Sequence, residues 1–452
     1  MEPKPAKRGI ELSDVLRARA PSPPSDLRGS RTVLGAARSG LAAAIALKRR
    51  GVAVFLSEAN RIPPSTKAQL ETLDIPFEEG GHSERGLRSN GLVISPGIPW
   101  SHPLLEAARA HRIPVWGELE LGYRLCPSRK LIAVTGTNGK STATRLIGAL
   151  LHARGHAVAV GGNLGTPLCA MLDEIDPDTW VVLEVSSFQL EGALSFAPHI
   201  GVWLNLTPDH LDRHGCMQTY RNLKLRLFHR QGRHDHAVLG PGLTLPTSYA
   251  GHVHRFEPWV ALAPRALPDH QRRNLAASLC AAQLADPLCA LEGLDLPTLL
   301  SQPHCLEHVG AVRGVSFYND SKATNPHAAL AALETLKAQG PLCVLLGGCP
   351  KGADPAPLAR YIAGQAHVAQ ALLVGPLAAH WRKALLEAGF GRFRTVGSLE
   401  EALGALDAQV RTCVLAPAGS SFDLYADYRA RGEAFRSAVQ ALSKSSATAL
   451  TT

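Results

Sequence analysis

Residues 131–142 read Leu-Ile-Ala-Val-Thr-Gly-Thr-Asn-Gly-Lys-Ser-Thr: an apolar strand, a glycine turn, then a lysine and two hydroxyls opening a helix. A strand that passes into a helix through so short a turn belongs to a parallel α/β layer. The N–H groups of the turn and the helix N-terminus point at an anion, the geometry that holds nucleotide phosphates. Lys140 adds a full positive charge, and the Ser141 hydroxyl suits the Mg²⁺ that accompanies ATP. The segment predicts an ATP site at Gly136, Thr137, Asn138, Gly139, Lys140, Ser141 and Thr142. It departs from the common P-loop spacing, because Val134 stands where that pattern has its first glycine.

A chain of 452 residues is long enough for several domains with large cores. Aromatic residues make up 5% of it, too few for platforms that stack single-stranded nucleic acid. The net charge of +9 comes from Lys and Arg mixed with acids and partly concentrated at the N-terminus. That distribution implies anionic small molecules rather than a nucleic-acid face. Nine Cys at irregular spacing, with no C-x-x-C pair, fit reduced thiols in a cytoplasmic protein rather than a disulfide framework or a zinc site. No stretch approaches the ~18 apolar residues of a membrane span, and the basic N-terminus lacks the apolar core of a secretory signal.

Residues 1–26, rich in Pro, Arg, Ser and Lys, read as a flexible extension. A strand from Arg31, the turn Gly35-Ala-Ala-Arg-Ser-Gly40 and an Ala-rich helix through Arg50 lead to a strand at 52–56 followed by Ser57 and Glu58. This is a βαβ unit with a degenerate dinucleotide fingerprint, Ala37 standing where the second glycine would be. By itself it also reads as a plain turn without a ligand. Residues 91–99 form a strand that breaks into a Pro/Gly turn. The strand at 131 starts a second α/β unit. A third starts after Pro303, with strands at 315–318, 342–347, 371–374 and 412–416. The expected fold is α/β in three domains: 27–118 Rossmann-like, 119–302 a central P-loop-type ATPase, and 303–452 Rossmann-like again. Strands alternating with helices predict parallel sheets in all three.

Trp180-Val-Val-Leu-Glu184 is an apolar strand ending in an acid, and in a parallel sheet ligands gather at the carboxyl ends of the strands. Glu184 is placed there to hold Mg²⁺ directly or through water. A further strand end carries Asp209, His210 and Asp212. His210 and His214, four residues apart, have one zinc spacing, but no Glu-x-x-His context or Cys accompanies them.

In order and spacing, residues 135–142, Gly161-Gly-Asn163-Leu-Gly165-Thr-Pro167, Glu184-Val-Ser186-Ser-Phe-Gln and Asn205-Leu-Thr-Pro-Asp-His210-Leu-Asp-Arg resemble the Mur ligases. These ATP-dependent enzymes add amino acids to the UDP-linked peptidoglycan precursor, and the resemblance covers residues 30–437. Asn319-Asp320-Ser321-Lys322-Ala323-Thr324-Asn325 is similar to the branch that adds D-glutamate. The resemblance implies a two-step reaction. The alanine carboxylate of UDP-MurNAc-L-alanine takes the γ-phosphoryl group of ATP, and the D-glutamate amine then displaces phosphate from the acyl phosphate.

It implies Lys140, Glu184, His210 and Lys224 as catalytic residues, with Gln271, Asn274 and Asp320 joining the loop around ATP. Ser141 and Glu184 would hold one Mg²⁺, and His210 with a carbamylated Lys224 a second. A free ammonium at Lys224 would be repelled by Mg²⁺, whereas a carbamate supplies the anionic oxygen that Mg²⁺ takes. Arg38, Ser39, Ser95, Gly97, Asn163 and Ser186 would contact the UDP-muramoyl substrate, held mainly by the first domain. Lys322, Thr324, Lys351, Ser421 and Phe422 would hold D-glutamate, whose second carboxylate wants cations and hydroxyl donors. The implied protein is a cytoplasmic monomer acting on small molecules.

Three features depart from that family. His270-Gln271 stands for His-Asn at the adenine, Cys305 follows Pro303-His304 where an arginine normally lies near the ATP phosphates, and the extension 1–26 has no counterpart in the motif set. Rival readings are another Mur or folylpolyglutamate-type ligase, an inactive nucleotide-binding scaffold, and a nucleic-acid ATPase. The intact Lys140, Glu184, His210 and Lys224 argue against the scaffold.

Overall fold

Three sheets, each flanked by helices, carry the chain. The computed structural model describes residues 27–448 except 164, 350, 376 and 377, so the expected extension 1–26 lies outside the described residues. The first sheet contains β1 (Ser30–Leu34), β2 (Ala53–Glu58), β3 (Phe77–Glu79), β4 (Leu92–Ile94) and β5 (Val115–Gly117). Its order is β3-β2-β1-β4-β5, all parallel. The switch point of this Rossmann-like sheet lies between β1 and β4, the place where such sheets open a crevice. Helix α1 (Arg38–Arg49) leaves the end of β1 and buries its alanine face.

The second sheet contains β6 (Leu131–Thr135), β7 (Val158–Gly162), β8 (Trp180–Glu184), β9 (Ile200–Trp203), β10 (His236–Leu239) and β11 (His252–Arg255). Its order is β11-β10-β9-β6-β8-β7, again all parallel. Every residue of β6, β8 and β9 is buried, which is why these segments read as continuous apolar runs rather than alternations. Helix α2 (Lys140–Ala153) follows β6, and α3 (Ser187–Glu191), α4 (Leu211–His214), α5 (Met217–Leu225) and α6 (Asp269–Ala285) complete the surroundings of the site.

The third sheet contains β12 (Glu307–Val312), β13 (Val315–Asn319), β14 (Leu342–Gly347), β15 (Val368–Val374), β16 (Phe393–Val396) and β17 (Thr412–Leu415), ordered β12-β13-β17-β14-β15-β16. Here the expectation of parallel pairing throughout needs correcting. β12 pairs antiparallel with β13, while the other pairs are parallel. The two strands are joined only by Arg313 and Gly314, at φ +51° and +77°. A two-residue turn of that hand closes a hairpin and cannot supply a parallel crossover.

The apolar core runs unbroken from the first sheet into the second, joining Val33, Leu47 and Leu56 to Leu183, Trp203 and Leu239. The third sheet has cores of its own. The helix Glu118–Leu125 lies across the first junction, and its two buried acids fix it. Glu120, fully buried, accepts from the N–H groups of Leu194, Ser195 and Phe196 and from Arg124 Nε at 2.7 Å. Glu118 accepts from the N–H of Cys169, and burial lifts its carboxyl to about 6.

Glu120→Ala would strip the acceptor from three N–H groups, that of Phe196 fully buried, and is expected to cost about 3 kcal/mol. Arg124→Ala leaves those acceptors in place and should cost about 1 kcal/mol or less. Denaturant titration of both variants checks this, and equal losses would show that the ion pair, not the N–H cradle, holds the junction.

Candidate functional site

The carboxyl ends of β9, β6 and β8 lie side by side, and each supplies one wall of the site. β6 ends in the phosphate loop. Gly139 caps α2 in the left-handed region at φ +83°, and a Cβ there would lie 2.3 Å from Asn274 Oδ1, so only glycine fits. Asn205, beyond β9, braces the loop: its Oδ1 accepts from the N–H of Thr137 (3.0 Å) and Asn138 (2.9 Å), and its Nδ2 donates to Asn138 O. Lys140 Nζ curls back to the carbonyls of Gly136 (3.0 Å) and Thr137 (2.8 Å). Burial lowers its pKa, with Glu184 and Asp209 opposing the shift.

Glu184 ends β8, 3% exposed. Its Oε1 accepts from Asn163 Nδ2 at 2.6 Å, while its buried Oε2 has no partner. An unpaired buried carboxylate oxygen at the strand end next to β6 and its loop fits a hard divalent cation. Among the described residues no three His, Cys, Asp or Glu side chains converge on one point. The donors here therefore suit Mg²⁺, which takes few protein ligands and completes its shell with phosphate and water. The zinc spacing does not produce a site: His214 Nε2 is paired with Ser187 Oγ at 3.0 Å, and its Nδ1 lies 3.4 Å from Glu191.

His210 sits at φ +56°, a strained position of the kind found at functional sites. Burial, then Lys351, push its imidazole down to about 3, so its ring is neutral and its lone pair available. Lys224, on α5, is 1% exposed. Its Nζ donates to Gly136 O at 2.8 Å and lies 4.6 Å from the Tyr220 ring centre. Among the described residues it has no carboxylate within ion-pair distance. Burial pushes its pKa well below the lysine range, which favours the neutral amine.

The third unit brings its own strand ends against these. The loop after β13 carries Asp320–Asn325, and that after β14 carries Lys351. Asn325 Nδ2 donates to Asn138 Oδ1 (3.0 Å) and Asp209 Oδ2 (3.2 Å). Lys351 Nζ lies 3.3 Å from Asp209 Oδ1 and donates to Thr324 Oγ1 at 3.0 Å. Lys322 goes elsewhere. Its Nζ donates to Ser141 Oγ (3.0 Å), at the phosphate loop, and to Gln302 Oε1 (2.9 Å), whereas Lys351 Nζ bonds Thr324. Ser421 is buried, whereas Phe422 is 75% exposed. Cys305 is half-buried near Asp320, and desolvation lifts its thiol to about 12. Asp320 accepts from the N–H of Leu306 at 2.9 Å. Gln271 lies in the first turn of α6, and Asn274 one turn on, against the loop.

Of the residues expected at the UDP-muramoyl substrate, Asn163 holds Glu184, and Ser186 caps α3 in a reciprocal pair with Gln189. Arg38 Nη1 donates to Gly165 O at 2.7 Å, joining the first unit to the second, and Ser39 lies next to it on α1. Ser95 Oγ is buried without a partner, between Gly35 and Gly40. Gly97 O accepts from Arg213 Nη1. Sequence reading passed over Arg213, which also reaches Ile98 O and Glu191, and Glu58, which accepts from the Ala36 N–H at 2.6 Å. Asn205 and Arg213 both lie inside a quoted motif, which was the available signal.

Three family models match: the Mur ligase middle domain at residues 134–241, the Mur ligase glutamate ligase domain at 305–420, and the MurD N-terminal domain at 34–102. The chain is 36% identical to the UDP-N-acetylmuramoylalanine–D-glutamate ligase of Pelotomaculum thermopropionicum over 91% of its own length and 97% of the relative's. The same figures for the ligase of that name in Acidobacterium capsulatum are 36%, 92% and 97%. Among solved structures, MurF of Acinetobacter baumannii shares the fold at TM-score 0.56 and 15% identity, covering 93% of this chain and 97% of that one. MurC of Thermotoga maritima does so at TM-score 0.54 and 18% identity, covering 91% and 99%.

Burial lifts the Asp320 carboxyl to about 7. An acid whose folded pKa exceeds its unfolded value of about 3.9 favours folding at low pH and loses that contribution as pH rises through the folded value. The unliganded protein should therefore lose thermal stability between about pH 4 and pH 7. Asp320→Asn keeps the Oδ1 acceptor and should flatten that part of the profile, the two proteins matching at the acid end. Melting curves across pH check this, and equal slopes would show Asp320 charged throughout.

Proposed function

The chain belongs to the Mur ligase family, among the UDP-N-acetylmuramoylalanine–D-glutamate ligases, and from that premise we infer how its site makes the bond. The protein is an ATP-dependent ligase that adds D-glutamate to UDP-N-acetylmuramoyl-L-alanine in peptidoglycan precursor synthesis. One observation carries the site reading. The phosphate loop and the Asp320–Asn325 and Lys351 loops of the third unit meet edge to edge through Asn325, Lys351 and Asp209. A phosphorylated carboxylate held on the second unit thereby faces an amine brought by the third.

A carboxylate resists amide formation because its oxygen leaves badly and its charge repels the nucleophile. Phosphoryl transfer from ATP removes both obstacles, and catalysis then consists of positioning and charge neutralisation. Lys140 and the loop N–H groups hold the transferring phosphoryl group. Lys322, seated on Ser141, adds a second cation at the loop. This supports a phosphate role for Lys322 and leaves Lys351, Thr324 and Ser421 for D-glutamate. Arg38, Ser39, Ser95, Gly97, Asn163 and Ser186 line the path of the UDP-muramoyl substrate between the first two units. Gln271, Asn274 and Asp320 border the nucleotide.

Ser141 with Glu184 would hold one Mg²⁺ and His210 with Lys224 a second, the metal supplying charge neutralisation on the phosphate oxygens. The neutral, buried amine of Lys224 is the form that adds CO₂, which supports its carbamylation. The three sheets support a division into domains 27–118, 119–302 and 303–452. No described helix is long and apolar enough to cross a membrane. Nucleotide-linked substrate and ATP place the reaction in the cytoplasm, with the monomer as the working unit.

Phosphate release from ATP with UDP-MurNAc-L-alanine should require D-glutamate and fail with L-glutamate or glycine. Release indifferent to the amino acid would overturn the reading. Lys224→Ala should lose activity by roughly 100-fold or more, the scale of a lost electrostatic stabiliser. Added short carboxylic acids should restore part of it, and full activity in the plain variant would remove Lys224 from the site.

A further inference from the structure

At the rim of the second sheet opposite the phosphate loop, four histidines gather on β11, on β10 and just before β9. His252 and His254 lie two residues apart on the edge strand β11, so both rings leave the same face. In register, His236 of β10 stands beside His252, and Val238 beside His254. The His236 ring centre lies 5.3 Å from that of His252, 5.2 Å from that of His254 and 5.3 Å from that of His199. We propose that His236, His252 and His254 form a binding site for a divalent transition-metal ion of the Zn²⁺ or Ni²⁺ class, a clip that ties the edge strand to β10.

The spacing of the nitrogens supports the assignment. His236 Nδ1 and His254 Nε2 are 3.0 Å apart. Two imidazole nitrogens bound to one such ion at about 2.0–2.1 Å lie roughly 2.9–3.4 Å from each other when adjacent in its shell. The pair already has the span of a chelate. In the metal-free protein one ring donates its N–H to the other. On binding, that ring carries its proton on its far nitrogen instead, so both lone pairs face the ion and no net proton is released. His252 is the third ligand. Its ring is exposed and stacked on His236, with 26° between the planes, and reaches the ion by turning about its own χ angles. As the side chains stand, two rings and not three converge among the described residues.

The surroundings suit a cation. His199 Nδ1 lies 3.1 Å from Asp235 Oδ1, the carboxylate–imidazole pairing that orients a ring and adds negative charge behind a metal site. The cations adjacent along the chain are engaged elsewhere: Arg255 Nη2 donates to Leu243 O, and Arg233 Nε to His234 Nε2. A set of imidazoles selects borderline transition metals over Mg²⁺, which takes oxygen. His236 and His252 open their strands, whereas the phosphate loop and Glu184 stand at the carboxyl ends of β6 and β8. The site is therefore separate from the ligase chemistry and holds whether or not the D-glutamate reading does. β11 has four residues and a strand on one side only, so a metal bound across it and β10 favours the paired edge over the opened one.

Calorimetric titration of the full, untagged chain with ZnCl₂ and NiCl₂ tests this, after stripping with EDTA and with MgCl₂ in excess to fill oxygen-rich sites. The wild type should bind the metal and melt several degrees higher when it is present at about 100 times its Kd. His252→Gln and His254→Gln should each weaken that binding about 10- to 100-fold, at least the effect of losing an outer-shell partner. His234→Gln, outside the cluster, should bind as the wild type does. Metal-free melting curves that match the wild type show that the variants fold, and the two edge-strand variants suffice if His236→Gln does not. Metal binding left unchanged in both His252→Gln and His254→Gln overturns the inference. So does a wild type that takes up neither ion at millimolar concentration.

Discussion

The contact on which the site depends is the buried carboxylate of Asp209. Its Oδ1 accepts from the His210 N–H at 2.9 Å and lies 3.3 Å from Lys351 Nζ, and its Oδ2 accepts from Asn325 at 3.2 Å. One side chain of the second unit thus fixes the backbone that carries His210 and grips two loops of the third. Burial is the largest influence on its pKa and would raise it, yet Lys351 and Lys140 hold the carboxyl below the usual range. A buried charge survives only when its surroundings satisfy it. The closed arrangement of the two units is what satisfies Asp209, so closure and the shape of the site are one energetic fact.

Around that contact the site carries more positive than negative charge. Lys140, Lys322 and Lys351 crowd together closely enough that the latter two lower the pKa of the first, after burial itself. Lys140 in turn depresses Lys224. Such crowding is unfavourable in the empty protein. It becomes favourable when a polyphosphate and two carboxylates arrive, because each anion then relieves a repulsion as well as forming a contact. The same logic accounts for Lys322 on the Ser141 hydroxyl: a cation from the third unit reaches the phosphate loop only when the two units are together.

What the sequence disclosed was local. The phosphate loop, the acid ending β8 and the loop after β13 are each one strand and one turn, and their chemistry is written in consecutive residues. The three parallel-rich sheets were legible for the same reason. The hairpin between β12 and β13 was missed because Arg313-Gly314 is a weak turn signal beside the strong βα rhythm on either side. Glu118 and Glu120 belong to no sequence motif, and only the junction they bury in reveals them as N–H acceptors. Lys322 and Lys351 looked equivalent in the sequence. Their separation, one to the phosphate loop and one to Asp209, is set by the docking of two sheets, which no local pattern encodes.

The choice between a working ligase and an inert scaffold turns on groups that a scaffold has no reason to keep. Glu184 Oε2 is buried and unpaired, and Lys224 is buried with no acid within ion-pair distance among the described residues. Each costs stability: the unsatisfied Glu184 oxygen about 1–3 kcal/mol, and Lys224 the burial of an amine with no ion-pair partner among the described residues. A chain freed from chemistry would lose that cost by substituting either residue with an apolar one of similar volume. Both persist within one site, on either side of the phosphate loop. Cys305, where the family has arginine, does not reverse this, because Lys322 already brings a cation to the same loop. The retained strain is the mark of a site that binds a metal and reacts.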